Sequence, residues 1–176
     1  MAEAPVVGFA PNAPKVMRIS DGGNNANGWL QWAGQTRVTS VVNFNNTTTL
    51  GTVTGLSVNV QAGRTYGFEA DLSFTCTPAQ GIRVAIGGTC TATAIVYDGW
   101  IVDSGANGIK GNAQSTALAG VVANAATTGG AGHVKISGTI TVNAAGTLLA
   151  QAAQSVAAAN NTAVLQGSKF LVWDMP

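Results

Sequence analysis

The sequence predicts an all-β domain preceded by an extended arm, and three observations lead there. From Arg37 onward, short segments alternate β-branched or aromatic residues with polar ones and are bounded by Gly, Asn, Pro or Thr clusters. No segment sustains an apolar period of 3.6 residues over a capped span, so helices have no clear place. Residues 1–35 hold Pro5, Pro11 and Pro14, and the run from Asp21 to Gly28 has the composition of a turn or loop. Several short strands without helices imply a sandwich, jelly roll or barrel. The expected organisation is an extended N-terminal arm over 1–35 and a β domain over 36–176.

In chain order, Val16 to Ser20 could form one short strand within the arm. Trp29 and Trp32 follow in GWLQWAG, where they either pack into the core or anchor the arm on a partner, since Trp is enriched at interface hot spots. The strand signals are RVTSVVNF, TVTGLSVNV, RTYGFEADLSF, IRVAI and TATAIVYDGWIV, with Gln61-Ala62-Gly63 and Pro78-Ala79-Gln80-Gly81 as the clearest turns. Residues 104–132 are rich in Ala, Gly, Asn and Thr, and Ser115 to Ala123 fits either a strand or a short helix. After it, Val134, Ile136, Ile140 and Val142 fall on one side of a strand, and His133, Lys135, Ser137, Thr139, Thr141 and Asn143 on the other. Ala144-Ala145-Gly146-Thr147 offers a short connection to a second run from Leu148 to Ser155, so the pair is expected to form a β-hairpin.

A chain of 176 residues suffices for one domain, which at this size buries roughly 70% of its unfolded surface. Only 9% of residues are charged, and 8 Lys and Arg are scattered against 7 Asp and Glu. That balance provides no footprint for nucleic acid or anionic lipid. The N-terminus carries Glu3 and prolines where a secretory signal needs basic residues and an apolar helix. Ile136 to Ser168 is free of charge, yet polar residues interrupt it too often for a membrane span, so it belongs inside protein contacts. Cys76 and Cys90 have no further ligands at metal-binding spacing; they are two buried thiols or, alternatively, a disulfide.

Catalytic templates fail on inspection. Asp103-Ser104-Gly105-Ala106 is spelled like the signature of aspartic proteases, which need two carboxylates sharing one proton, here supplied only by a homodimer. The supporting apolar-apolar-glycine element of those enzymes is missing, and a strand end entering a turn explains the spelling without chemistry. His133 is the only histidine and has no nucleophile motif to serve. Gly105 to Gly111 lacks the spacing of a phosphate loop. Glu69 and Asp71 share one strand face, where they could hold a cation or serve a glycosidase but more simply form a wet surface. No catalytic residue, metal or cofactor is expected.

Three stretches carry a family resemblance: Thr49 to Val60 continuing through Ala62 to Phe68, Gly146 to Gln154, and Leu165 to Trp173. Together they resemble bacteriophage virion structural proteins with a tumour-necrosis-factor-like trimeric jelly-roll domain, whereas residues 75–132 match poorly. The resemblance implies an antiparallel jelly-roll sandwich, a homotrimer, and a non-enzymatic capsid decoration or cement protein. Such a protein is made in the host cytoplasm and sits on the capsid surface, bound to the major capsid protein. The alternative is a tail-fibre, spike or other tail component whose jelly roll binds a host-surface glycan or protein. A protease or glycosidase is the remote third reading. The second stretch departs from the family where Ala150 and Ala152 replace bulkier residues. With Leu148, these alanines suit either a tight subunit contact around a symmetry axis or a thin core within one chain.

Overall fold

A computed structural model describes residues 31–105 and 108–175, and within them the chain is built of strands joined by turns. The strands are β1 (Gln31–Arg37), β2 (Val42–Phe44), β3 (Gly51–Val60), β4 (Thr65–Thr75), β5 (Ile82–Gly88) and β6 (Thr91–Asp103), then β7 (Gly108–Ser115), β8 (Val121–Ala125), β9 (Ala131–Ala144), β10 (Gly146–Gln154), β11 (Thr162–Val164) and β12 (Lys169–Met175). They form two antiparallel sheets packed as a sandwich. The larger runs β1-β12-β4-β9-β6-β7, with β11 bridging β4 and the short β2, and the smaller runs β3-β10-β5-β8. Set aside β2, β11 and the β6–β7 hairpin, and eight strands remain. Numbered among themselves they run 1-8-3-6 and 2-7-4-5, the strand order of a jelly roll. The hairpin is thus an insertion between β5 and β8 that widens the larger sheet beyond β9.

Alternation along each strand fills the space between the sheets. Phe68, Ala70, Leu72 and Phe74 of β4, Val134, Ile136, Ile140 and Val142 of β9, Ile95, Tyr97 and Ile101 of β6, and Phe170 and Val172 of β12 are buried on the larger sheet. The smaller sheet answers with Val53, Leu56, Val58 and Val60 of β3, Ile82, Val84 and Ile86 of β5, and Leu148, Ala150 and Ala152 of β10. Aromatic rings cluster on the larger sheet, with Phe68 edge-on to Tyr97 at 6.0 Å and 6.3 Å from Phe170. Aromatic rings on one layer and aliphatic side chains on the other, with Ala150 and Ala152 among them, fill the core.

Several expectations need correction. Leu148, Ala150 and Ala152 have no exposed surface within a single chain, so they line its own core and offer nothing to a neighbouring subunit. Much of the charge-free stretch does the same, because Ile140, Val142, Ala153, Gln154, Thr162 and Val164 are buried too. β9 and β10 do not form a hairpin: β9 pairs with β4 and β6 in the larger sheet, β10 with β3 and β5 in the smaller. The chain steps from one sheet to the other at Ala145, and the apolar faces of the two strands meet across the core instead of lying side by side. Alternation fixes which face is buried; it does not fix the pairing partner. Residues 104–132 contain β7, a turn and β8, with no helix among the described residues.

Cys76 and Cys90 are free thiols, the first half-buried and the second buried. They flank opposite ends of β9, Cys76 beyond the Thr75–Ala131 pair and Cys90 beside the Thr91–Ala144 pair. A strand of that length spans roughly 40 Å, and a disulfide needs Cα atoms within about 7 Å. The expected boundary at residue 35 also moves. Gln31–Arg37 is an edge strand paired with β12, and Gly34 packs on the Val58 side chain. Trp29, the short strand over 16–20 and the rest of the expected arm lie outside the described residues.

Candidate functional site

Two features draw together the residues singled out in the sequence: a carboxylate at the tip of the inserted hairpin and the outer face of the larger sheet. Asp103 ends β6 and is completely buried. One of its oxygens accepts from the Gly105 N–H at 3.0 Å and the Gly129 N–H at 3.1 Å, the other from the Thr128 N–H at 2.7 Å and hydroxyl at 2.8 Å. Lys110 Nζ of β7 lies 3.2 Å away. Burial by itself would raise the carboxyl group's pKa, but the hydrogen bonds from Thr128, Gly105 and Gly129 outweigh it and hold it well below the usual carboxylate range. Glycine is required at both turns, because a Cβ on Gly105 would lie 2.5 Å from the Gly129 nitrogen, and one on Gly129 2.2 Å from that of Gly105. The Asp-Ser-Gly spelling therefore describes a clasp between the hairpin and the loop leading into β9.

Directly paired residues on the outer face form rows across the larger sheet. One row runs Lys169, Asp71, Lys135 and Trp100, and its neighbour Leu171, Glu69, Ser137, Asp98 and Gln114. Both strand-face carboxylates singled out in the sequence have a lysine partner: Lys135 Nζ is 2.9 Å from Glu69, and Lys169 Nζ is 3.1 Å from Asp71, with His133 Nε2 3.5 Å from the other Asp71 oxygen. The hydrogen bond to Glu69 holds the Lys135 ammonium above its usual range, against partial desolvation. Among the described residues no three His, Cys, Asp or Glu side chains gather where they could hold a metal ion.

The next row is apolar at its ends: Trp32, Trp173, Gly67, Thr139 and Val96. Trp173 lies flat over Gly67, whose missing Cβ would stand 2.3 Å from the indole. Trp32 meets Trp173 edge-on at 6.3 Å and 74° while 64% exposed, and Val96 is 46% exposed at the far end. A solvent-facing indole packed edge-on against a second indole leaves an exposed apolar surface on the edge strand. Beside this row, Arg64 pairs with Asp174.

One structural role was not assigned from the sequence. Gln154, the last residue of the second resemblance stretch, is fully buried, and its Oε1 accepts from the Thr47 and Ala158 N–H groups at 3.1 Å each. Its Nε2 donates to the carbonyls of Ala158 and Asn160, so a single amide pins two loops at one end of the sandwich. A second glutamine closing the alanine-rich run, just before Ser155, was the available signal.

No protein-family model matches the chain, and no curated protein matches it. Among solved structures it is similar to one described as "Structure of infectious bursal disease virus Gt strain", at 12% identity and a TM-score of 0.23. The likeness covers 98% of this chain and 46% of that one, so the chain spans less than half the length of that relative.

Proposed function

We propose that this chain is a non-enzymatic structural component of a bacteriophage particle: a homotrimeric decoration protein seated on the major capsid protein. The observation that carries this reading is where the resemblance stretches fall. Thr49–Val60 covers β3 and Gly146–Gln154 covers β10, and these two strands pair; Ala62–Phe68 opens β4 and Leu165–Trp173 runs into β12, and these pair as well. Segments far apart in sequence thus rebuild neighbouring strands in each sheet of the jelly-roll frame. The part that departs from the family, residues 75–132, contains the inserted hairpin. Two further features support an assembling role over a catalytic one. Asp103 is consumed as a structural acceptor, and the exposed Trp32, packed on Trp173, sits on the edge strand of the larger sheet.

Light scattering of the full chain tests the oligomer, with a trimer near three times the 17.6 kDa chain mass expected. A monodisperse monomer that fails to assemble when shell protein is added overturns it. Immunogold labelling of purified virions tests the location: a decorator covers the head in many copies, whereas label confined to the tail replaces this reading with that of a tail component.

A further inference from the structure

The inserted hairpin carries a recess that the jelly-roll frame does not need. It lies on the outer face between β6 and β7, with a volume of about 270 Å³, and Asp98, Trp100, Ile109, Asn112 and Gln114 line it. The backbone is shaped to open it. Gly99 pairs with Ala113 and Ile101 with Lys110, so Trp100 alone opposes Gly111 and Asn112. This is a β-bulge whose first residue, Gly111, has φ +58. A Cβ there would lie 2.6 Å from the Asn124 carbonyl oxygen, so a side chain is excluded on steric grounds as well. The bulge leaves a gap in the outer face beside a half-buried indole. Around it stand the exposed side chains of Asn112, Gln114 and Asp98, and Ile109 is 65% exposed at one end.

We infer that this recess binds a neutral saccharide. The chemistry is a matched set. An indole face receives the C–H side of a sugar ring, while two amides and a carboxylate present planar donor and acceptor pairs to adjacent hydroxyls. Charge selects against acidic sugars: Asp98 stands at the rim, and the lysines that pair with Ile101 and Trp100 across the sheet, Lys110 and Lys135, are held by Asp103 and Glu69. The shallow shape suits a ring or chain end lying on a sheet surface. The site is also free of the assembly surface proposed above, since β12, β4, β9 and β6 separate the Trp32 edge strand from β7. Its standing therefore does not depend on the assembly reading.

The test uses the full chain, first on an array of neutral oligosaccharides (cello-, malto- and galacto-series) with sialyllactose as the anionic probe, then by saturation-transfer NMR with the retained sugars. Neutral probes should be retained and sialyllactose should not. Trp100→Ala should abolish saturation transfer and Trp100→Phe should keep part of it. The double variant Asn112→Ala with Gln114→Ala, at exposed positions that the fold does not use, should bind at least about tenfold more weakly. If Trp100→Ala loses its far-UV circular dichroism, the double variant decides. Retention of no neutral probe overturns the inference, as does equal retention of sialyllactose, or unchanged binding in the double variant.

Discussion

The eight-strand frame and the outer strand of the inserted hairpin, β7, belong to one sandwich but are held by different forces. The inner frame strands bury one face almost completely, as in β4, where Phe68, Ala70, Leu72 and Phe74 are buried. β7 has no buried residue along its whole length. β6 buries Ile95, Tyr97 and Ile101 as a frame strand does, but the rest of the hairpin is held by a few directed contacts. Asp103 clasps its tip, and the buried Tyr97 hydroxyl reaches the carbonyls of Gly120 at 2.6 Å, Ala117 at 3.1 Å and Ile86 at 3.3 Å. Burial pushes the Tyr97 phenol up, against those hydrogen bonds, so it remains a proton donor. A frame stabilised by area tolerates polar changes outside and resists changes of volume inside; an outer strand and turns stabilised by a few polar contacts reverse that order.

The largest effects should come from volume in the frame. Leu148 is fully buried at the centre of the smaller sheet, and Leu148→Ala should cost about 2–5 kcal/mol in urea unfolding. Ala152→Leu, four residues further along the same face, should cost roughly 1–3 kcal/mol by overpacking the core. If Ala152→Leu instead left the unfolding midpoint unchanged and altered only the oligomeric state, these alanines would face a subunit and the core assignment would fail.

A smaller loss is expected in the insertion. Asp103→Asn cannot accept all the hydrogen bonds that the carboxylate accepts, and it gives up the attraction to Lys110. A cost of roughly 1–3 kcal/mol should follow. The pH dependence has a definite sign. Asp103 titrates lower in the folded chain than in the unfolded one, so its stabilisation is present above the unfolded aspartate value of about 3.9 and is lost as pH falls below it. Thermal melts at falling pH should show the wild type losing stability below about pH 4, and Asp103→Asn losing less. Parallel acid profiles would remove Asp103 from the clasp.

The same division governs what the sequence made legible. Strands of the frame were visible because alternation such as Val134, Ile136, Ile140, Val142 records burial on one face, and burial is what holds them. The turns at Gln61–Gly63 and Pro78–Gly81 were visible from their composition. Pairing was not: β9 and β10 alternate well and lie one residue apart, yet the jelly roll sends them to different sheets. The alanines of β10 could be read as subunit contact or thin core, because the rest of the core they join comes from strands distant in sequence. In β7 there was no pattern to read, since it buries nothing, and the acceptor role of Asp103 depends on Thr128 and Gly129, 25 or more positions further along.

Trp32→Ala should have the smallest effect on folding and separates the two kinds of surface most cleanly. Trp32 is 64% exposed on an edge strand and touches the fold through the side of Trp173, a contact of about 0.5–1.5 kcal/mol. For a chain of this size that corresponds to a fall of only about 2–4 °C in Tm for each kcal/mol lost. If the Trp32–Trp173 pair is instead the anchor of an assembly, truncating it removes a hot spot of about 2 kcal/mol or more per subunit, multiplied across an oligomer that binds through several copies. The expected result is a variant with nearly unchanged thermal unfolding that no longer decorates particles stripped of the wild-type protein. A chain starting at Gln31, which keeps β1 whole, serves as the companion measurement. If it still binds while Trp32→Ala does not, the attachment surface is the edge of the sandwich itself. If both bind like the full chain, the indole pair is only an ornament of the sheet surface, and the assembly face lies elsewhere.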